Sequence, residues 1–67
     1  MKTLQHKGKT GTIEYCDVDE VYYGKVLNTK HLITYEGVTL EELADFFEFA
    51  VDDAIKDGAL TDEGSIL

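Results

Sequence analysis

The stretch from Val38 to Gly58, VTLEELADFFEFAVDDAIKDG, decides how this chain is read. It opens on Thr39-Leu40-Glu41-Glu42, the pattern of a capping box. In that pattern the Thr39 hydroxyl accepts a backbone N–H in the first turn, and the Glu42 side chain reaches back toward the N-cap. Val38 and Leu43 stand where a hydrophobic staple would set them. Gly58 is the residue type that tolerates the left-handed conformation just past a helix end. The spacing therefore predicts a helix from about 40 to 57. Projected at about 100° per residue, Leu40, Leu43, Phe47, Ala50, Val51 and Ala54 share one inner arc. Glu41, Asp45, Glu48, Asp52 and Lys56 fall opposite, with Phe49 among the acids and Phe46 at the margin.

Upstream of the helix the period changes. Residues 2–7 read as a weak edge strand that ends at Gly8. Residues 10–16 alternate, with Ile13 and Tyr15 on one face and Thr12 and Glu14 on the other. After the polar turn Asp17–Glu20, residues 21–27 are β-branched and aromatic, so the pair reads as a hairpin. Asn28–His31 is a second loop, and residues 32–36 form another strand closed by Gly37. The expected architecture is α+β: an antiparallel sheet of three to four strands in β-β-β-α order, with one amphipathic helix packed on one face. Residues 1–57 form the domain, and 58–67 are a tail in which Ile66 and Leu67 offer a short further edge strand.

The 21–27 strand is apolar on both faces: Tyr22 and Val26 on one, Val21, Tyr23 and Leu27 on the other. One helix covers only one face of a sheet, so Val21, Tyr23 and Leu27 are the candidate oligomer interface. Size argues the same way. A domain of 67 residues is near the lower limit of independent stability. The lone Cys16 rules out an intrachain disulfide, and His6, His31 and Cys16 have no metal-ligand spacing. A dimer or larger homo-oligomer is expected.

Six lysines stand against fourteen carboxylates, a net charge of −8. The first nine residues hold Lys2, Lys7 and Lys9 and no acid, so the rest of the chain is more acidic still. Such a surface repels nucleic-acid phosphates and anionic membranes, and it steers a basic protein inward. Solubility alone would also account for the acidity. With no membrane-length apolar run and no signal-like segment, a cytoplasmic protein is expected.

Catalytic arrangements fare poorly. Asp52 and Asp53 are adjacent on the helix and point about 100° apart, so they do not converge on one atom. Asp17-Val18-Asp19-Glu20 resembles the start of a calcium loop, but its sixth position is Tyr22 and its twelfth Asn28. Cys16 lacks a strand-to-helix elbow and an orienting third group. Gly8 and Gly11 flank Lys9 and Thr10 away from any helix start, so no phosphate loop is present. No cofactor, no metal and no enzymatic activity are expected.

Lys7-Gly8, Gly11-Thr12-Ile13-Glu14-Tyr15, Tyr23-Gly24-Lys25-Val26-Leu27, Thr34-Tyr35-Glu36-Gly37, Glu41-Glu42-Leu43 and Ala50-Val51-Asp52-Asp53 occur in succession. In order and spacing, over about residues 7–56, they resemble the HicB family, the antitoxin side of HicA–HicB toxin–antitoxin systems. The resemblance implies a partial RNase H-like fold and a role in neutralising a small basic RNA-cleaving toxin. His31 departs from the acidic residue often found there. The family's added DNA-binding domain has no counterpart, so direct operator binding is not expected, and fold alone does not imply nuclease activity. The expected function is an interaction module that masks a small basic partner such as a HicA-type toxin. Asp45, Phe46, Phe49, Asp52 and Asp53 are the candidate partner-binding residues. The alternative is an orphan oligomeric HicB-like domain acting as a scaffold or ligand-binding regulator.

Overall fold

The structure, a computed structural model, describes residues 3–58. The strand considered at Ile66-Leu67 lies outside them. The fold is α+β: strands β1 (Thr3–His6), β2 (Lys9–Thr12), β3 (Glu14–Cys16), β4 (Val21–Lys25) and β5 (Thr34–Gly37) precede helix α1 (Leu40–Lys56). β1 and β2 form one antiparallel pair, and β3-β4-β5 form a second antiparallel sheet in that order.

The expected strand over 10–16 is divided, and the reason is local. Gly11 bridges Val26 on the same register that pairs Glu14 with Tyr23, three residues further along each strand. β2 and β3 are thus one strand bent at Thr12–Ile13, and β4 runs alongside both halves. At the bend the Lys25 N–H donates to the Thr12 hydroxyl (3.0 Å) rather than to its carbonyl. That carbonyl accepts instead from the Tyr35 hydroxyl at 2.7 Å. It leans over Gly24, where any Cβ would collide with it. The ladder is interrupted for one peptide while the register is kept.

Turns follow from the backbone. Lys7 and Gly8 both have positive φ, 52° and 79°, which a two-residue primed hairpin loop between His6 and Lys9 requires. The expected 21–27 strand ends at Lys25. Beyond it Val26 bridges Gly11 and donates its N–H to the Ile33 carbonyl at 2.9 Å, and the Leu27 N–H donates to the Thr10 carbonyl at 2.8 Å.

The helix begins on the Thr39 half of the capping pattern, while Glu42 reaches back to Val38, one residue before the N-cap, rather than to Thr39 itself. The Glu42 N–H donates to the Thr39 hydroxyl at 3.0 Å, while the Glu42 carboxylate accepts from the Val38 N–H at 3.2 Å. It ends one residue before the expected position, with Asp57 as C-cap and Gly58 at φ 84°. Leu43, Phe47, Val51 and Ala54 are buried and close the core with Val26 and Tyr35. The Phe47 and Tyr35 rings meet edge to face at 5.1 Å. The helix lies low over the sheet: a Cβ on Gly11 would fall 2.6 Å from a Phe47 ring carbon. Leu40, expected on the inner stripe, is 49% exposed. Leu43 already sits over Gly37, the last residue of β5, so Leu40 has no strand beneath it. Val38 is exposed while Leu43 is fully buried, so the pair makes no tight staple.

Candidate interaction site on one flank of the helix

The side chains of β4 and β5 sort by parity. Gly24, Val26, Tyr35 and Gly37 are buried toward α1, while Tyr23, Lys25, Thr34 and Glu36 are exposed on the outer face. Of the three residues read as an oligomer interface, Val21 and Tyr23 lie on that outer face. Leu27 lies past the end of β4 and is half-buried. Tyr15 pairs with Tyr22 on the helix side, ring centroids 4.8 Å apart, yet stays exposed at the sheet margin.

The five candidate partner-binding residues of α1 are divided between two flanks. On the β1 flank, Asp52 Oδ1 lies 2.9 Å from His6 Nε2 and 2.9 Å from Lys7 Nζ. A carboxylate only accepts, so both nitrogens donate. The Lys7 hydrogen bond, and after it that of His6, holds the Asp52 carboxyl below its ordinary 3.8. Asp52 therefore ties the β1–β2 hairpin to the helix. Asp45 precedes Asp52 by seven residues, two helical turns, and so lies on the same side.

Among the described residues, the opposite flank is open. Phe46, Phe49, Ala50, Asp53, Ala54 and Asp57 form one stripe along α1, and with residues 31–36 they line a groove of about 780 Å³. Phe46 is 50% exposed, Phe49 68%, and Leu32 at the groove's end 83%. Asp53 and Asp57 contribute carboxylates from the helix, Glu36 borders the groove from the outer face of the sheet, and among the described residues His31 is the one lining residue with a basic side chain. The structure thus groups Phe46, Phe49 and Asp53 and separates them from Asp45 and Asp52.

His31, Leu32, Glu36 and Asp57 were not among the candidates read from sequence. Asp57 continues the i, i+4 series from Asp53, a signal available in the sequence. The other three become neighbours of the helix only through the pairing of β5 with β4.

Tyr35 forms part of the groove floor. Its hydroxyl is pushed up to about 12 by burial, against the lowering effect of its hydrogen bond to Thr12, so it remains a proton donor at neutral pH. Among the described residues, no group of three His, Cys, Asp or Glu side chains is placed to hold a metal ion. Among them, too, no helix is long and apolar enough to cross a membrane. No family model, curated protein or solved structure matches the chain.

Proposed function

We propose that this chain is a HicB-like interaction module that binds and masks a small basic protein, with a HicA-type RNA-cleaving toxin as the specific candidate. One observation carries the reading. The α1–β5 groove combines exposed aromatic side chains, Phe46 and Phe49, with the carboxylates Glu36, Asp53 and Asp57. Apolar anchors that leave water on binding give long residence, while charge of opposite sign raises the encounter rate and selects the partner. The whole chain, at net −8, adds to the attraction. In this role the protein acts by occlusion and catalyses nothing.

The test uses a purified HicA-type toxin and a labelled RNA. At low salt a stoichiometric amount of the protein suppresses cleavage, and suppression weakens as salt approaches ~0.15 M, where the screening length falls to about 8 Å. Undiminished cleavage at low salt, with no complex on a sizing column, contradicts the reading.

A second reading, an orphan oligomeric domain serving as scaffold or ligand-binding regulator, draws support from the outer sheet face. There Tyr23 is exposed beside half-buried Val21, on the side away from the helix. Sedimentation of wild type against Tyr23→Ser separates the two: a shift from oligomer to monomer favours this second reading.

A further inference from the structure

The groove has a backbone wall. Thr34, Tyr35 and Glu36 are consecutive in β5, and all three line it. Successive strand residues point to opposite faces, so a groove bordered by three in a row is walled in part by the strand's backbone. β5 is a terminal strand of its sheet and, among the described residues, pairs with β4 alone. The phase of that pairing identifies the unpaired groups. The Val26 N–H donates to the Ile33 carbonyl at 2.9 Å. Hydrogen-bonded pairs alternate along an antiparallel ladder, so Gly24–Tyr35 and Tyr22–Gly37 are bonded pairs as well. The N–H and C=O groups of Thr34 and Glu36 therefore point away from β4, into the groove.

The dimensions suit one more strand. From Phe46 to Asp57 the helix stripe rises about 16 Å, the length of a strand of about five residues. The Phe46, Phe49 and Ala50 side chains cover one face of that space, and Glu36 projects on the other. Charge selects the occupant. A second copy of this chain would bring Glu36, Asp53 and Asp57 against their own counterparts, and like charges across a strand pair are destabilising. An extended segment with alternating apolar and basic side chains meets aromatic rings on the helix side and carboxylates on the rim.

We infer that the groove between α1 and β5 captures an extended basic–apolar segment of the partner protein, adding it to the sheet through the Thr34 and Glu36 backbone. This rests on the masking function proposed above and names the part of the partner that is held. Strand addition takes its affinity from main-chain hydrogen bonds and its specificity from alternate side chains.

The test uses the full chain and an eight-residue peptide alternating lysine and valine, with a glutamate–valine peptide as charge control. Two further lysine–valine peptides are N-methylated on alternate amides, one on the odd set and one on the even. The lysine–valine peptide binds and perturbs the Thr34 and Glu36 amide signals, and the glutamate–valine peptide does not bind. One methylation pattern weakens binding at least about tenfold, and the other leaves it within about twofold, because only one edge of the guest faces β5. Equal binding of both methylated peptides, with signals moving at Asp45 and Glu48, overturns strand addition and leaves the acidic masking reading standing. No binding by any lysine–valine peptide, together with no toxin inhibition, removes both. Protection of the Thr34 and Glu36 amides in the protein alone, lost on dilution or on deletion of residues 59–67, assigns the groove to a second copy or to the chain's own C-terminal residues. Either assignment also overturns the proposal.

Discussion

The two flanks of α1 carry the same kinds of residue and end differently. On the β1 flank Asp52 is met by His6 and Lys7, each at 2.9 Å, so its charge is used within the molecule. On the β5 flank Asp53 and Asp57 border an open groove, and Phe46 and Phe49 lie exposed beside them. Adjacent aspartates on one helix therefore have opposite surroundings. What separates them is the element packed alongside: a hairpin whose His6 and Lys7 side chains donate to Asp52 on one flank, and on the other the edge of a strand that pairs, among the described residues, with β4 alone. A carboxylate answered from within is structural. One left at the rim of an apolar groove is available to another molecule.

The largest expected difference lies between two phenylalanines two residues apart. Phe47 is buried between sheet and helix, so Phe47→Ala costs about 3–5 kcal/mol and leaves a small domain with little residual stability. Phe49→Ala changes stability by no more than about 0.5 kcal/mol. It weakens binding to a basic partner at least tenfold, about 1.4 kcal/mol. Urea unfolding and titration calorimetry on the two variants measure both quantities. Loss of folding in Phe49→Ala would erase the distinction between core and docking face.

Gly11→Ala tests the floor shared by the two flanks. The added methyl meets the Phe47 ring and the Tyr35 hydroxyl, an overpacking that costs about 1–3 kcal/mol. Raising the helix disturbs both flanks together, seen as chemical-shift changes at both Asp52 and Asp53. Thr39→Ala removes the N-cap acceptor and costs about 1 kcal/mol, again without preference between flanks.

The smallest effect belongs to one flank. Because folding lowers the Asp52 pKa, its tie to Lys7 and His6 contributes above the ordinary carboxylate value. The contribution is lost as pH falls through the lower folded value. In an acid titration followed by NMR, β1 signals loosen over that window while groove signals hold. Asp52→Asn removes the step. A matching step at Phe46 and Phe49 would mean that the flanks are coupled.

The elements legible in the sequence are those set by local rules. The helix start follows from one hydroxyl and one carboxylate three residues apart, and its end from a glycine that adopts a positive φ. The faces of β4 follow from the two-residue period through Val26. The interruption at Thr12–Ile13 was not legible, because it depends on Tyr35, more than twenty residues away, capturing the Thr12 carbonyl. Exposed aromatics on α1 were legible from helical projection. The parting of Asp52 from Asp53 was not, since it depends on a hairpin turn reaching across to the helix. The groove's second wall, with Leu32 and Glu36, arises from strand order and could not be read from spacing.

The most direct measurement of the central claim compares charge reversals on the two flanks, using one purified HicA-type toxin. Asp53→Lys on the groove rim and Asp45→Lys on the far side change the net charge equally, so long-range attraction falls alike in both. The account predicts that Asp53→Lys weakens toxin binding at least about tenfold more than Asp45→Lys does. Equal losses from the two variants, or the greater loss from Asp45→Lys, would contradict it.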